Sequence, residues 1–182
     1  FSFSHLTISL DDDCILRFIA YELMNKQLHH PFPPTIKTDI ILGLGLLFDT
    51  RATSALIEII RQPPDSDSRL RFHLRLNAIR ALRSIGDPRS LEVLYEVVNY
   101  NTNLSLRVYA VEAISSIGSD HEQAERMIQL LEHAIDDVRA IASKQLGYIG
   151  VNTDDLNLKD HIVENLIHRL ADNGKGYIHN PT

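Results

Sequence analysis

The sequence predicts an all-α fold, a right-handed α-solenoid of stacked helical hairpins, on three observations. The first is an internal repeat. Arg75 is followed three residues on by Ala78 and eleven residues on by Gly86, and the same offsets recur at Arg107, Ala110, Gly118 and at Arg139, Ala142, Gly150, each set 32 residues after the last. A fixed period of this length marks a repeat architecture. The second is apolar spacing: Ala78, Ile79, Leu82 and Ile85 in one unit, and Ala110, Val111, Ile114 and Ile117 in the next, share one face of a 3.6-residue helix. The third is the corner Gly86-Asp87-Pro88-Arg89. Glycine adopts a left-handed helix end cheaply, and proline suits the first turn of the helix that follows.

Taken in order, residues 1–34 are expected to form an N-terminal cap. Arg17, Ala20, Tyr21 and Met24 echo the first-helix pattern, which predicts a helix over 9–28, and the run His29-His30-Pro31-Phe32-Pro33-Pro34 then breaks it. Residues 35–170 are expected to hold about four helical pairs. In the first pair Lys37 takes the Arg position, Ile40 and Ile41 follow, and Phe48-Asp49-Thr50-Arg51 stands where Gly86-Asp87-Pro88-Arg89 stands later. Leu56, Ile59 and Ile60 line its second helix. From Lys37 to Arg75 is 38 residues, and the surplus falls in the polar, proline-bearing loop 62–68, where an insertion costs little entropy. The next pair follows Gly86, with Leu91, Leu94, Val97 and Val98 on the inner side of its second helix. The third follows Gly118, and Gly150 is expected to be the third glycine corner. The last second helix is expected over 160–170, with Ile162, Val163, Leu166, Ile167 and Leu170 inward. Residues 171–182 read as a tail. Each hairpin buries half its apolar surface alone, so a neighbour must cover the rest, at about 1.5–3 kcal/mol per covered side chain.

Composition excludes several functions. Of 182 residues, 44% are hydrophobic and 23% charged, with net charge −6 and no block of Lys and Arg, which disfavours nucleic acid. The single cysteine, Cys14, cannot staple the chain internally, fits a small apolar filler, and points to a reducing, cytoplasmic compartment. The longest apolar run, Ile40 to Phe48, is far short of the ~20 residues of a membrane span. No basic n-region opens the chain, so no signal peptide is expected, and because it starts at Phe1 rather than Met, residues upstream are expected.

Over about residues 37–150 the Arg…Ala…Leu…Ile-Gly-Asp-Pro-Arg pattern resembles HEAT-like repeats of the short type named after phycobilisome lyases. A narrower resemblance lies in 69–118: "RLRFHLRLNAIRALRSIGDPR" and "LSLRVYAVEAISSIG" are similar to the E/F-type phycobilin lyases of cyanobacteria, with the helix start Leu74-Arg75-Leu76-Asn77-Ala78-Ile79-Arg80-Ala81-Leu82 after a polar loop. The chain departs from many such repeats in having no Trp and few repeats. What the resemblance implies is a bilin lyase or a chaperone-like attachment factor. Its substrate would be a linear tetrapyrrole (phycobilin), with no tightly bound cofactor. Its partner would be a phycobiliprotein subunit or a second HEAT-like subunit. The alternative, of another class, is a non-catalytic scaffold that binds protein in its concave groove.

In such a fold the second helices line the concave side, which makes their exposed positions the candidate binding face. These are Glu58 and Arg61; Glu92, Tyr95, Glu96 and Asn99; Glu125, Gln129, Glu132 and His133; and His168 and Arg169. The face is mixed and acid-leaning, with an aromatic, suited to gripping a protein helix, and it offers no nucleophile. For bilin addition the nucleophile would be the partner's thiolate, and orienting the tetrapyrrole would be the contribution, with Glu92 and Glu96 as candidate carboxylates.

Other motifs read as structural. Gly86-Asp87-Pro88 is a hinge: a lone glycine with no Lys-Ser or Lys-Thr after it cannot cradle phosphate. His121-Glu122 is a single pair, too few for a dimetal site, and reads as a helix start with Glu122 near the positive end. Adjacent His29 and His30 diverge on a helix and suit no chelate. No Ser-His-Asp set is evident. Arg75, Arg107 and Arg139 form either an anion ladder or, favoured here, a hydrogen-bond ladder between repeats with Asp or backbone partners. Asp137 supplies the acid before Arg139, but His73 and Ser105 hold that place elsewhere.

Overall fold

A computed structural model describes residues 34–62 and 68–172. The helix expected over 9–28, Cys14, His29, His30, most of the 62–68 loop and residues 173–182 lie outside them. Among the described residues there are eight α-helices and no strand: α1 Pro34–Leu46, α2 Thr53–Arg61, α3 Ser68–Ile85, α4 Leu91–Tyr100, α5 Leu104–Ile114, α6 Asp120–Leu130, α7 Asp136–Asn152 and α8 Leu156–Asp172. The fold class is all-α, built from helical hairpins of the α-solenoid kind. The chain divides into two compact units, Phe1–Val93 and Leu94–Thr182.

In unit 1, α3 packs against both α1 and α2. Of the residues expected inward, Ile41, Leu56, Ala78 and Leu82 have no exposed surface, while Ile85 is only half-buried; Leu44 is wholly buried as well. The helices α1 and α3 cross closely, because a Cβ on Gly45 would lie 2.9 Å from the Ala81 Cα. Helix–helix contact at this crossing therefore requires glycine on one side and alanine on the other.

Both corners of unit 1 repeat one design. Gly86 has φ +70°, and a Cβ there would meet nothing within 4 Å, so the dihedral rather than crowding selects glycine. Phe48 holds the same place one repeat earlier and takes the same left-handed conformation, φ +52°, without being glycine. After each comes an aspartate whose carboxylate accepts the backbone N–H two residues on, Asp49 from Arg51 and Asp87 from Arg89, both at 2.9 Å. A short 3-10 turn follows in each case, Thr50–Ala52 and Pro88–Ser90, and leads into the second helix.

In unit 2, α7 packs on α5, α6 and α8, and α6 also meets α8. Ala110, Val111, Ile114 and Ile117 are buried as expected, and so are Ala124, Met127 and Leu130 of α6 and Leu131 just after it. Within α4, Val93 is buried with Leu94, Val97 and Val98, whereas Leu91 is only half-buried. Gly118 turns the corner with φ +83°, and Ser119 starts α6 through a capping box with Glu122.

Two expectations fail in unit 2. Gly150 is not a corner. It lies inside α7, which runs on to Asn152 and ends at an extended Thr153 whose N–H bonds the Ile149 carbonyl. Here Asp155 makes the start of the next helix, accepting from the N–H groups of Asn157 and Leu158, so α8 begins at Leu156 rather than near Asp160. Nor do all five apolar residues of α8 face inward. Ile162 is buried and Leu166 half-buried, but Val163, Ile167 and Leu170 are 52%, 60% and 77% exposed. The buried pair is Leu158 and Ile162, four residues apart, and among the described residues no further hairpin covers the other face.

Candidate functional site

The repeated arginines are settled by their acceptors. Arg75 donates from Nη2 to the Gln62 carbonyl, Arg107 from Nη1 to the Asn101 carbonyl at 2.8 Å, and Arg139 from Nη1 to the His133 carbonyl at 2.7 Å. Those carbonyls lie just past the ends of α2, α4 and α6. A helix C-terminus carries unpaired carbonyls and the negative end of the helix dipole, and a guanidinium satisfies both. The ladder is the hydrogen-bonded one, with backbone partners. Arg107 also stands 3.4 Å from Asp137, the single acid step that the spacing allowed. Burial, with Arg71 beside it, holds Arg75 below the usual arginine value.

The candidate binding residues divide between the units. In unit 1, Glu58 is exposed on α2, and Arg61 meets Glu92 at 3.5 Å in a solvent-exposed ion pair that contributes little stability. In unit 2, Tyr95 and Glu96 are half-buried rather than outward, and Asn99, Glu125, Gln129 and Glu132 are exposed. Burial raises the Tyr95 hydroxyl above the ordinary tyrosine value, with Arg126 opposing. Glu125 accepts from the His161 ring at 3.1 Å, and both carboxylate oxygens of Glu132 receive Arg169 Nη1 at 3.1 Å. His121 pairs with Asp155 at 2.9 Å, and this is the largest reason the Asp155 carboxyl sits below its usual range. Three links thus sew α6 to α8 along one seam. Their partners lie 34, 36 and 37 residues apart, near the repeat period. That spacing was the signal available in the sequence.

His133 is held in one neutral tautomer. Its Nδ1 accepts the Ile135 N–H at 3.1 Å, so the proton sits on Nε2, which donates to Asn99 Oδ1 at 2.9 Å. Burial first, then Arg139 and Arg107, hold its pKa below the ordinary histidine value. His121-Glu122 is a helix start: Glu122 accepts from the Ser119 N–H at 2.8 Å, which lowers its carboxyl pKa. Among the described residues no group of three or more His, Cys, Asp or Glu side chains is placed to hold a metal ion. No helix there is long and apolar enough to cross a membrane.

Helical hairpins tied at each junction by an arginine on the preceding helix end define a helical-repeat protein. Residues 71–147 match the family model for HEAT repeats, so that span is similar to HEAT repeats. The match carries the repeat type rather than an activity. A comparison with curated proteins finds none that matches.

Proposed function

We propose that the protein is an interaction scaffold that docks a protein partner on its second-helix face. The observation that carries this reading is the preorganised surface formed by α6 and the residues just after it in unit 2. Glu125, Glu132 and His133 are each held by a partner 34–37 residues away, while Gln129 stands exposed among them. Side chains already fixed in place lose less entropy on binding. The test is quantitative capture on immobilised protein, comparing wild type with the variant Gln129→Ala/Glu125→Ala/Glu132→Ala. A stoichiometric partner should fall by about tenfold or more; equal capture by both proteins overturns the reading.

A finer reading rests on the resemblance across residues 69–118, in which the docked partner is a phycobiliprotein subunit or a second HEAT-like subunit and the cargo a phycobilin. The half-buried Tyr95 with Glu92 and Glu96 one helical turn apart on α4 supports it, as an aromatic and carboxylates suited to pyrrole nitrogens. Whether attachment is catalysed or only chaperoned then depends on orienting the tetrapyrrole near the partner's thiolate. Mixing the protein with phycocyanobilin should shift the bilin's absorbance or fluorescence to the red. An unchanged spectrum, with and without an accepting subunit, removes this reading and leaves the scaffold.

A further inference from the structure

We propose that the chain associates head to tail with a second copy, the apolar and basic groove of unit 1 receiving the apolar, acid-edged face of α8 from the neighbouring molecule. The groove lies between α1 and α3, with Leu42, Gly45 and Leu46 on one wall and Arg80, Ala81 and Ser84 on the other. Leu42 and Leu46 are 39% and 75% exposed. The small Gly45 and Ala81 that let the helices cross also leave the floor open. Helix α3 carries five arginines and no acid, and Arg69, Arg80 and Arg83 are exposed, with Arg80 lining the groove.

The occupant is specified by the other end of the same chain. In α8, Leu156, Val163, Ile167 and Leu170 form one exposed apolar stripe, and the spacing 7, 4, 3 keeps them on one helix face. The exposed Asp160 and Glu164 edge that stripe, with the half-buried Lys159 on its other side. Val163 and Ile167 stand eight and twelve residues after the capping Asp155, as Met127 and Leu131 stand after the capping Ser119. Met127 and Leu131 are covered by the following hairpin, at 0% and 3% exposure. This is a helix surface built to be covered, and it is uncovered among the described residues. Charge selects the partner: unit 2 holds seven Lys and Arg against thirteen Asp and Glu, while unit 1 is balanced at eleven each, its arginines concentrated in α3. Two different surfaces make the contact heterologous, and opposite charges at its edge make it salt-sensitive.

Sedimentation velocity on the full chain tests this. Wild type should grow in weight-average size from low to high micromolar concentration, and less so in high salt. Arg80→Glu/Arg83→Glu and Ile167→Asp/Leu170→Asp alter exposed positions, and circular dichroism should show both folded. Each alone should weaken association about tenfold or more. An equimolar mixture of the two retains one intact groove and one intact α8 face and should stop at a 1:1 dimer. A wild type that stays monomeric throughout overturns the proposal. So does association that is lost with the α8 variant but kept with the groove variant, since that describes symmetric pairing of α8 alone. A mixture that fails to dimerise overturns it as well. Because neither pair includes Glu125, Gln129 or Glu132, capture of a docked partner should be unchanged, which separates this proposal from the scaffold reading.

Discussion

The corners at Phe48–Arg51 and Gly86–Arg89 have one backbone path and different residues at its tightest point. Both begin with a left-handed residue, phenylalanine in one and glycine in the other. Both continue with an aspartate that accepts the N–H and side chain of the arginine two residues on. They differ in what the aspartate reaches. Asp87 is buried and takes a further bond from the wholly buried Thr53 at 2.9 Å, while Arg89 reaches back to the Thr50 carbonyl at 2.7 Å. The comparison teaches that the aspartate makes the corner and the glycine only eases it, and that the second corner also clamps the first.

Asp87→Ala should have the largest effect. It removes a cap and leaves Thr53 and Arg89 without their acceptor, a loss of about 3 kcal/mol, read as a fall in the urea midpoint. Asp49→Ala removes a cap and the Arg51 pair at a less buried side chain and should cost about 1 kcal/mol; equal losses at the two sites would break the distinction. Gly86→Ala forces a side chain into φ +70° and should cost about 1 kcal/mol, although space is free. The converse change, Phe48→Gly, should stabilise by about 0.5–1 kcal/mol, because relief of the left-handed strain outweighs glycine's added freedom when unfolded and the ring is already 61% exposed. A destabilised Phe48→Gly protein would mean that the ring, not the dihedral, matters there.

Acid titration sharpens the same comparison. The Arg89 side chain first, then the Arg89 N–H and Thr53, hold the Asp87 carboxyl below its ordinary value against the opposing effect of burial. A depressed folded pKa means that the unfolded chain binds more protons. The stabilisation is therefore complete above the unfolded pKa near ~3.9 and is lost as pH falls through the folded value. Below about pH 4 the wild type should lose stability more steeply than Asp87→Asn; parallel curves would show that the carboxylate's charge is not what the corner uses. His133 has the same sign in a higher window. Its contribution is complete above about pH 6.5 and lost below it, as protonation of Nδ1 displaces the Ile135 N–H. Its ring resonances should titrate below those of a free histidine.

Much of this was legible in the sequence. The 32-residue spacing of Arg75, Arg107 and Arg139 implied equal environments, and all three guanidiniums reach the end of the preceding helix. The pattern Phe-Asp-Thr-Arg aligned with Gly-Asp-Pro-Arg because both supply the capping carboxylate at the same offset. Gly150 misled, since a glycine at the right spacing ends a helix only when the residues after it favour leaving, and Val151 and Asn152 continue the helix to Thr153. The outward positions of the second helices were legible only in part: Tyr95 and Glu96 are half-buried, because periodicity gives a residue's direction and not its partner.

By itself the sequence determined the helical class, the repeat period, the corners at Phe48, Gly86 and Gly118 and the arginine ladder, all of which follow from local propensity and from a period that puts like residues in like places. Tertiary structure alone decided the rest: that α1 and α3 close to glycine distance, that Asp87 binds Thr53, and that the acids of α6 are held by His161 and Arg169. These depend on which residues, 34 to 37 apart, come within reach of one another, and that is fixed by packing between helices rather than by any residue's own preference.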